Sequence, residues 1–114
     1  MADIIVTNTD TVVGHEIAEY RGVIVEETLH AASGWKDFMS RWRRSRGGEI
    51  GSYKALMKEA RQAAYRDLLE TARALGADAV VGFDLSTSAF EANHGLLVKA
   101  TCQGTAVTLR KKGA

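Results

Sequence analysis

Leu75-Gly76-Ala77-Asp78-Ala79-Val80-Val81-Gly82-Phe83-Asp84 is the stretch that decides the fold, because a helix stops and a strand starts inside it. Upstream, a helical pattern runs as far as Leu75. Gly76 then supplies a residue that can adopt the left-handed conformation closing a helix without a Cβ penalty. Downstream, Ala79 to Leu85 reads as an extended apolar run. The junction therefore sets where helix meets sheet.

Working back from it, Tyr53, Leu56, Met57, Ala60, Ala64, Leu68, Ala72 and Leu75 keep the helical period over several turns. Lys54, Lys58, Arg61, Glu70 and Arg73 occupy the other faces, which makes one apolar stripe and one wet side. Ser52 or Glu49 serves the start of this long helix. A shorter amphipathic helix is expected before it, where Trp35, Phe38, Met39 and Trp42 recur at i, i+3, i+4 and i+7 behind Ser33 as N-cap, and Gly47-Gly48 ends it. The stretch from Glu16 to His30 is dense in Val, Ile, Thr and Tyr, as strands are, and Gly22 within it marks a bulge. Ile4 to Val6 is a shorter β-rich run ended by Asn8-Thr9-Asp10.

Working forward, Ala79, Val81, Phe83 and Leu85 are expected on one face of a strand, with Val80, Asp84, Ser86 and Ser88 on the other. Asn93-His94-Gly95 is a hairpin turn signal. In the last strand Leu96, Val98, Ala100, Cys102, Gly104 and Ala106 share a face, while Leu97, Lys99, Thr101, Gln103 and Thr105 form a mostly polar set. That alternation describes a half-buried antiparallel strand. The order of strands, two helices and a hairpin predicts an α+β fold in two layers. Antiparallel strands pack with one short and one long helix, in a single domain over residues 1–114.

Composition agrees with a single domain. The chain has 114 residues, 46% of them hydrophobic, enough for one core. A quarter are charged and the net charge is +1, so the global balance calls for neither nucleic acid, an anionic membrane nor an acidic partner. Proline is absent, which leaves turns to Gly, Asn and Asp. One cysteine cannot form an internal disulfide, in keeping with a reducing compartment. The opening Met1-Ala2-Asp3-Ile4-Ile5-Val6-Thr7 has no basic segment before an apolar one, and no run approaches the roughly 18 apolar residues of a spanning helix. The expectation is a cytoplasmic protein with no membrane partner.

Five segments, in this order and spacing, resemble the YbjQ-like family, which carries a heavy-metal-binding label. They are Glu19-Tyr20-Arg21-Gly22-Val23-Ile24-Val25, Gly47-Gly48 with Gly51-Ser52-Tyr53, Ala60-Arg61, the run from Ala74 to Asp84, and Gly104-Thr105-Ala106-Val107. The resemblance covers Gly14 to Arg110. It implies a small α+β subunit assembling into a homopentameric ring. Where the family usually has an Arg-Ser pair near Gly48 and an acid after the tyrosine, this chain has Glu49-Ile50 and Lys54, which alters the charge of that loop.

Each candidate chemistry has an ordinary structural counterpart. Soft metals need several thiolates or imidazoles close together. The chain offers Cys102, His15, His30 and His94, with no CxxC or HxxxH. Cys102 lies on the apolar face of its strand, where a cysteine acts as a small hydrophobe. His15 and His30 have opposite parity and face opposite sides unless a bulge resets the register. His94 is a turn residue. A ring can still gather one ligand from each subunit, so a metal ion or other small ligand is placed at subunit interfaces.

The basic patch Arg41, Arg43, Arg44 and Arg46 around Trp42 reads first as a solvated helix end and second as a grip for phosphates. The glycine-rich loop of Gly47, Gly48, Glu49, Gly51, Ser52 and Tyr53 opens a helix but lacks the Walker pattern, and Glu49 opposes an anion. Trp35, Phe38 and Trp42 offer interface area. Asp78 and Asp84 flank the strand start without forming an acid–base pair. The expectation is a non-enzymatic, oligomeric binding or scaffold protein. The alternative is a module that engages nucleic acid or an acidic partner through the arginine patch, with nucleic acid the less favoured partner for a near-neutral chain.

Overall fold

The computed structural model describes residues 3–32, 49–92 and 95–113. Within them lie four strands, β1 (Ile5–Val6), β2 (His15–Ala32), β3 (Ala79–Ala92) and β4 (Gly95–Lys111), and one helix, α1 (Glu49–Ala74). They form a four-stranded sheet in the order β1-β3-β4-β2. The α+β class and the long helix are as the periodicity predicts. The short helix expected around Trp35 to Trp42 lies outside the described residues. The sheet departs from the all-antiparallel expectation: β1 runs parallel to β3, pairing Ile5 with Ala79 and Val6 with Val80. Hairpin neighbours such as β3 and β4 must be antiparallel, but β1 and β3 are separated in sequence by all of β2 and α1, so a parallel approach is open to them.

α1 covers one face of the sheet, mainly over β2 and β4. Its fully buried positions are Ala60, Ala64, Leu68 and Ala72, spaced by one turn, and they meet Ile24, Val80, Val98, Ala100, Cys102 and Ala106. The small alanines let the helix axis approach the sheet closely, and Leu68 fills the centre. Two side-chain bonds fix the helix on β2: Thr28 Oγ1 donates to the Ala60 carbonyl at 2.8 Å and Thr71 Oγ1 donates to Glu26 Oε1 at 2.6 Å. Leu75, the last residue of the expected stripe, is exposed at the helix end.

The helix closes as the junction sequence requires. The Ala77 N–H donates to the Ala72 carbonyl and the Gly76 N–H to the Arg73 carbonyl, both at 3.0 Å, while Gly76 sits at φ +72°. This is the paired-bond Schellman closure, with Ala77 packed back against the core. A Cβ at Gly76 would meet nothing within 4 Å, so Gly76→Ala costs only the left-handed backbone penalty, about 1 kcal/mol. Urea unfolding should show that loss, and a neutral result would refute the role given to this cap.

One irregularity reorganises β3. Val81 pairs with Thr105 and Asp84 with Gln103, so Gly82 and Phe83 both stand against Gly104. Gly82 takes φ +63° to make this bulge. The N–H groups of Gly82 and Phe83 are then satisfied by the carbonyls of Thr9 and Thr7 at 2.9 and 3.0 Å.

The extra residue inverts the side-chain alternation. Ala79 and Val81 lie on the outer face with Val107, beneath Val12, Ile17 and Leu109, whereas Phe83 and Leu85 pack into the inner core. The expectation that Ala79, Val81, Phe83 and Leu85 share a face is therefore wrong, and Asp84 does not share a face with Val80. In β4, by contrast, Val98, Ala100, Cys102, Gly104 and Ala106 are all buried on one face, as the alternation predicts.

The subunit is elongated, with extents of 62 × 25 × 23 Å and a radius of gyration of 18.3 Å. A compact chain of this length has a radius of gyration of about 13 Å.

Candidate functional site

Among the described residues, the face of the sheet opposite α1 is covered at one end only. Near the helix–strand junction, Val12, Ile17 and Leu109 close over Ala79, Val81 and Val107. Towards the β3–β4 hairpin no described residue closes over the same face. Tyr20, Val23, Val25 and Leu29 of β2 are 73%, 74%, 55% and 61% exposed, and Phe90 of β3 is 46% exposed. The cross-strand register places these side chains on one surface with Lys99, Thr101, Gln103 and Thr105 of β4. Lys99 pairs there with Glu27 at 3.1 Å, beside an open depression of about 390 Å³ that Leu29 and Phe90 also line.

This apolar strip escaped the sequence reading, although it left a signal. Gly22-Val23-Ile24-Val25 is apolar at both parities, the pattern of a strand buried on two faces. α1 covers only Ile24.

The predicted metal donors do not converge. Cys102 is fully buried in the inner core, and burial pushes its thiol pKa up, so it stays protonated and unreactive. His15 and His30 stand near the two ends of β2, on the order of 50 Å apart at about 3.3 Å per residue. Register shifts occur between Ile17 and Glu19 and between Tyr20 and Gly22, and as a pair they restore the original parity. His15 therefore opposes Lys111 and His30 opposes Val98, on opposite faces as the alternation predicts. His15 Nδ1 lies 3.1 Å from the Val13 carbonyl. His30 shares the inner face with Cys102 but lies roughly 13 Å along the sheet from it. Among the described residues no three His, Cys, Asp or Glu side chains are grouped to hold a metal ion. His94 lies outside them.

The remaining candidates divide in the same way. Glu49, Gly51, Ser52 and Tyr53 belong to the first turns of α1 rather than to a loop. Gly47, Gly48, the patch Arg41, Arg43, Arg44 and Arg46, and the aromatic set Trp35, Phe38 and Trp42 lie outside the described residues. Asp78 is a structural clamp: its Oδ2 accepts the Leu109 N–H at 2.8 Å and its own N–H donates to the Val107 carbonyl at 2.9 Å. That clamp borders an open depression of about 350 Å³ also lined by Asp3, His15 and Lys111. No helix of the described residues is long and apolar enough to cross a membrane.

A family model described as "Putative heavy-metal-binding" matches residues 4–110. The chain belongs to this family, YbjQ. Two YbjQ relatives are similar over nearly their whole length. The UPF0145 protein of Trichodesmium erythraeum (strain IMS101) is 37% identical over 106 residues, covering 92% of this chain and 98% of that protein. The UPF0145 protein GK1405 of Geobacillus kaustophilus (strain HTA426) is also 37% identical over 106 residues, covering 93% and 98%. Among solved structures, a protein of unknown function of the DUF74 family from Pediococcus pentosaceus superposes with a TM-score of 0.60 at 18% identity, covering 94% of this chain and 98% of that one. At that identity the likeness speaks for the fold alone.

Proposed function

We propose that this YbjQ chain is a non-enzymatic subunit whose working form is a homopentameric ring in the cytoplasm, and that a metal ion or small ligand is held where copies meet. The observation that carries the reading is the bare strip of Tyr20, Val23, Val25, Leu29 and Phe90 on an elongated subunit. Burying each of these side chains fully is worth about 1.5–3 kcal/mol, so leaving several in water forgoes a large part of a small domain's driving force. A binding or scaffold role is favoured over catalysis because four of the described acids do structural work. Asp78 holds the Leu109 N–H, Glu26 receives Thr71, and Glu16 and Glu27 pair with Arg110 and Lys99.

The family description supports a metal ion, yet the described donors of a single chain do not fit one. Cys102 is sealed in the core and the two described histidines face apart, so on this reading neighbouring copies complete the donor set. Whatever metal accompanies the tag-free protein, Cys102→Ala should leave its stoichiometry unchanged by elemental analysis. Loss of metal in that variant would place the thiol in the site and overturn the assignment. The assembly itself is tested by light scattering during size exclusion at micromolar concentration. The expected mass is five times the 12.4 kDa of the chain, and a stable monomer would end the proposal.

A further inference from the structure

Every strand brings residues to one depression, at the end of the sheet where α1 hands over to β3. Ile5 comes from β1, with Asp3 just ahead of that strand. Ala77 and Asp78 come from the turn leading into β3, Leu109 and Lys111 from the end of β4, and His15 from the start of β2. In the sheet order β1-β3-β4-β2, the acids therefore enter from one half and the bases from the other. The volume of about 350 Å³ falls at the lower end of the range for small-molecule sites.

These opposite charges line the same space without neutralising one another. Among the described residues, ion pairs join Glu19 to Arg21, Glu27 to Lys99 and Glu16 to Arg110, and none of them draws on Asp3, Asp78, His15 or Lys111. The contrast is sharpest in neighbouring rows of the same two strands. Glu16 and Arg110 oppose each other across β2 and β4 and close at 2.7 Å, whereas the next row sets His15 against Lys111, two bases.

Polar atoms are also left over. The fold uses one oxygen of Asp78, since Oδ2 accepts the Leu109 N–H at 2.8 Å, and Oδ1 remains. It likewise uses one nitrogen of His15. A carbonyl can only accept, so Nδ1, 3.1 Å from the Val13 carbonyl, carries the hydrogen, and Nε2 remains.

The charge pattern selects among ligands. A bare cation meets Lys111 and lacks a donor set, because no three His, Cys, Asp or Glu of the described residues are grouped to hold a metal ion. A simple anion meets Asp3 and Asp78. An uncharged molecule leaves both halves unmatched. A small molecule with an ammonium at one side and a carboxylate at the other matches both. Ile5, which is 43% exposed, and Leu109 offer an apolar wall for its body.

We infer that this depression binds a small zwitterion of the α-amino acid class, its ammonium towards Asp3 and Asp78 and its carboxylate towards Lys111. The lining residues belong to one chain, so the site is complete without a neighbouring copy and is distinct from the interface site proposed above.

L-Leucine is the probe, beside two analogues that each keep one charge, isopentylamine and isocaproate. Titration of the full chain at low salt, followed by amide NMR, should move the Ala77, Asp78, Leu109 and Lys111 signals with leucine. Each analogue should bind about threefold to fivefold more weakly, the scale of one exposed charge contact. Asp78 clamps Leu109, so the variants are made at Asp3 and Lys111, both exposed. Lys111→Met should weaken leucine and isocaproate by that factor and leave isopentylamine unchanged. Asp3→Asn should weaken leucine and isopentylamine and leave isocaproate unchanged. Unmoved amides at millimolar leucine would overturn the inference. So would equal affinity for all three probes, or variants whose effect ignores which charge the probe carries.

Discussion

Leu68→Ala is expected to lower the unfolding free energy by about 2–5 kcal/mol, the range for emptying a buried leucine site. Leu68 is fully buried at mid-helix, and the other fully buried positions of α1 among the described residues are all alanines. Ala60, Ala64 and Ala72 have no side chain to swing into the space, so the cavity persists and the cost should fall in the upper part of that range. Against a typical total of about 5–15 kcal/mol this is a large fraction. Urea melts at one fixed protein concentration measure it, because assembly contributes to apparent stability. Leu68→Met, which conserves volume, should cost under about 1.5 kcal/mol. A loss below about 1 kcal/mol for the alanine variant would mean that α1 does not seal the inner face as described.

Gly104→Ala should be the second most damaging change, by overfilling rather than emptying. Gly104 is buried opposite the β3 bulge. A Cβ there collides with Val80 Cγ1 and comes within 3.3 Å of the Val81 carbonyl oxygen and 3.5 Å of Phe83 Cα. Val80 is fully buried and β-branched, so it cannot rotate aside, and the neighbouring atoms are backbone. The expected loss is about 1–3 kcal/mol. The mechanism has its own check in a double-mutant cycle. Val80→Ala costs stability alone, but combined with Gly104→Ala it removes the collision, so the pair should lose less than the two single changes added together. Strict additivity would show that the damage at Gly104 comes from elsewhere.

Both predictions trace to features that differ in how openly the chain displays them. The α1 stripe is written in the spacing of Leu56, Ala60, Ala64, Leu68 and Ala72, and its end in Gly76, because a helix imposes a period that successive residues must obey. β4 is equally open, since no register shift interrupts its alternation opposite β2 from Val23 onward. β3 is not. Its apolar run looks uniform from Ala79 to Leu85, and the inversion at Gly82 depends on donors being met by Thr7 and Thr9, some 75 residues earlier in the chain. The candidate site followed the same division. Composition warned that soft donors were scarce, and the opposite parity of His15 and His30 was legible. The separation of those histidines from Cys102 needed the strand pairing.

By itself, the sequence determined the elements of this protein: a helix closed at Gly76, a strand entered at Ala79, a hairpin, and an α+β layering with Cys102 in its core. These follow from local periodicity and from backbone chemistry at single residues. Only the tertiary structure decided the parallel seat of β1, the face swap at Gly82 and the bare strip along β2. Each depends on which distant segment supplies a hydrogen bond or withholds cover, and pairing between segments far apart in the chain leaves no periodic trace in either of them.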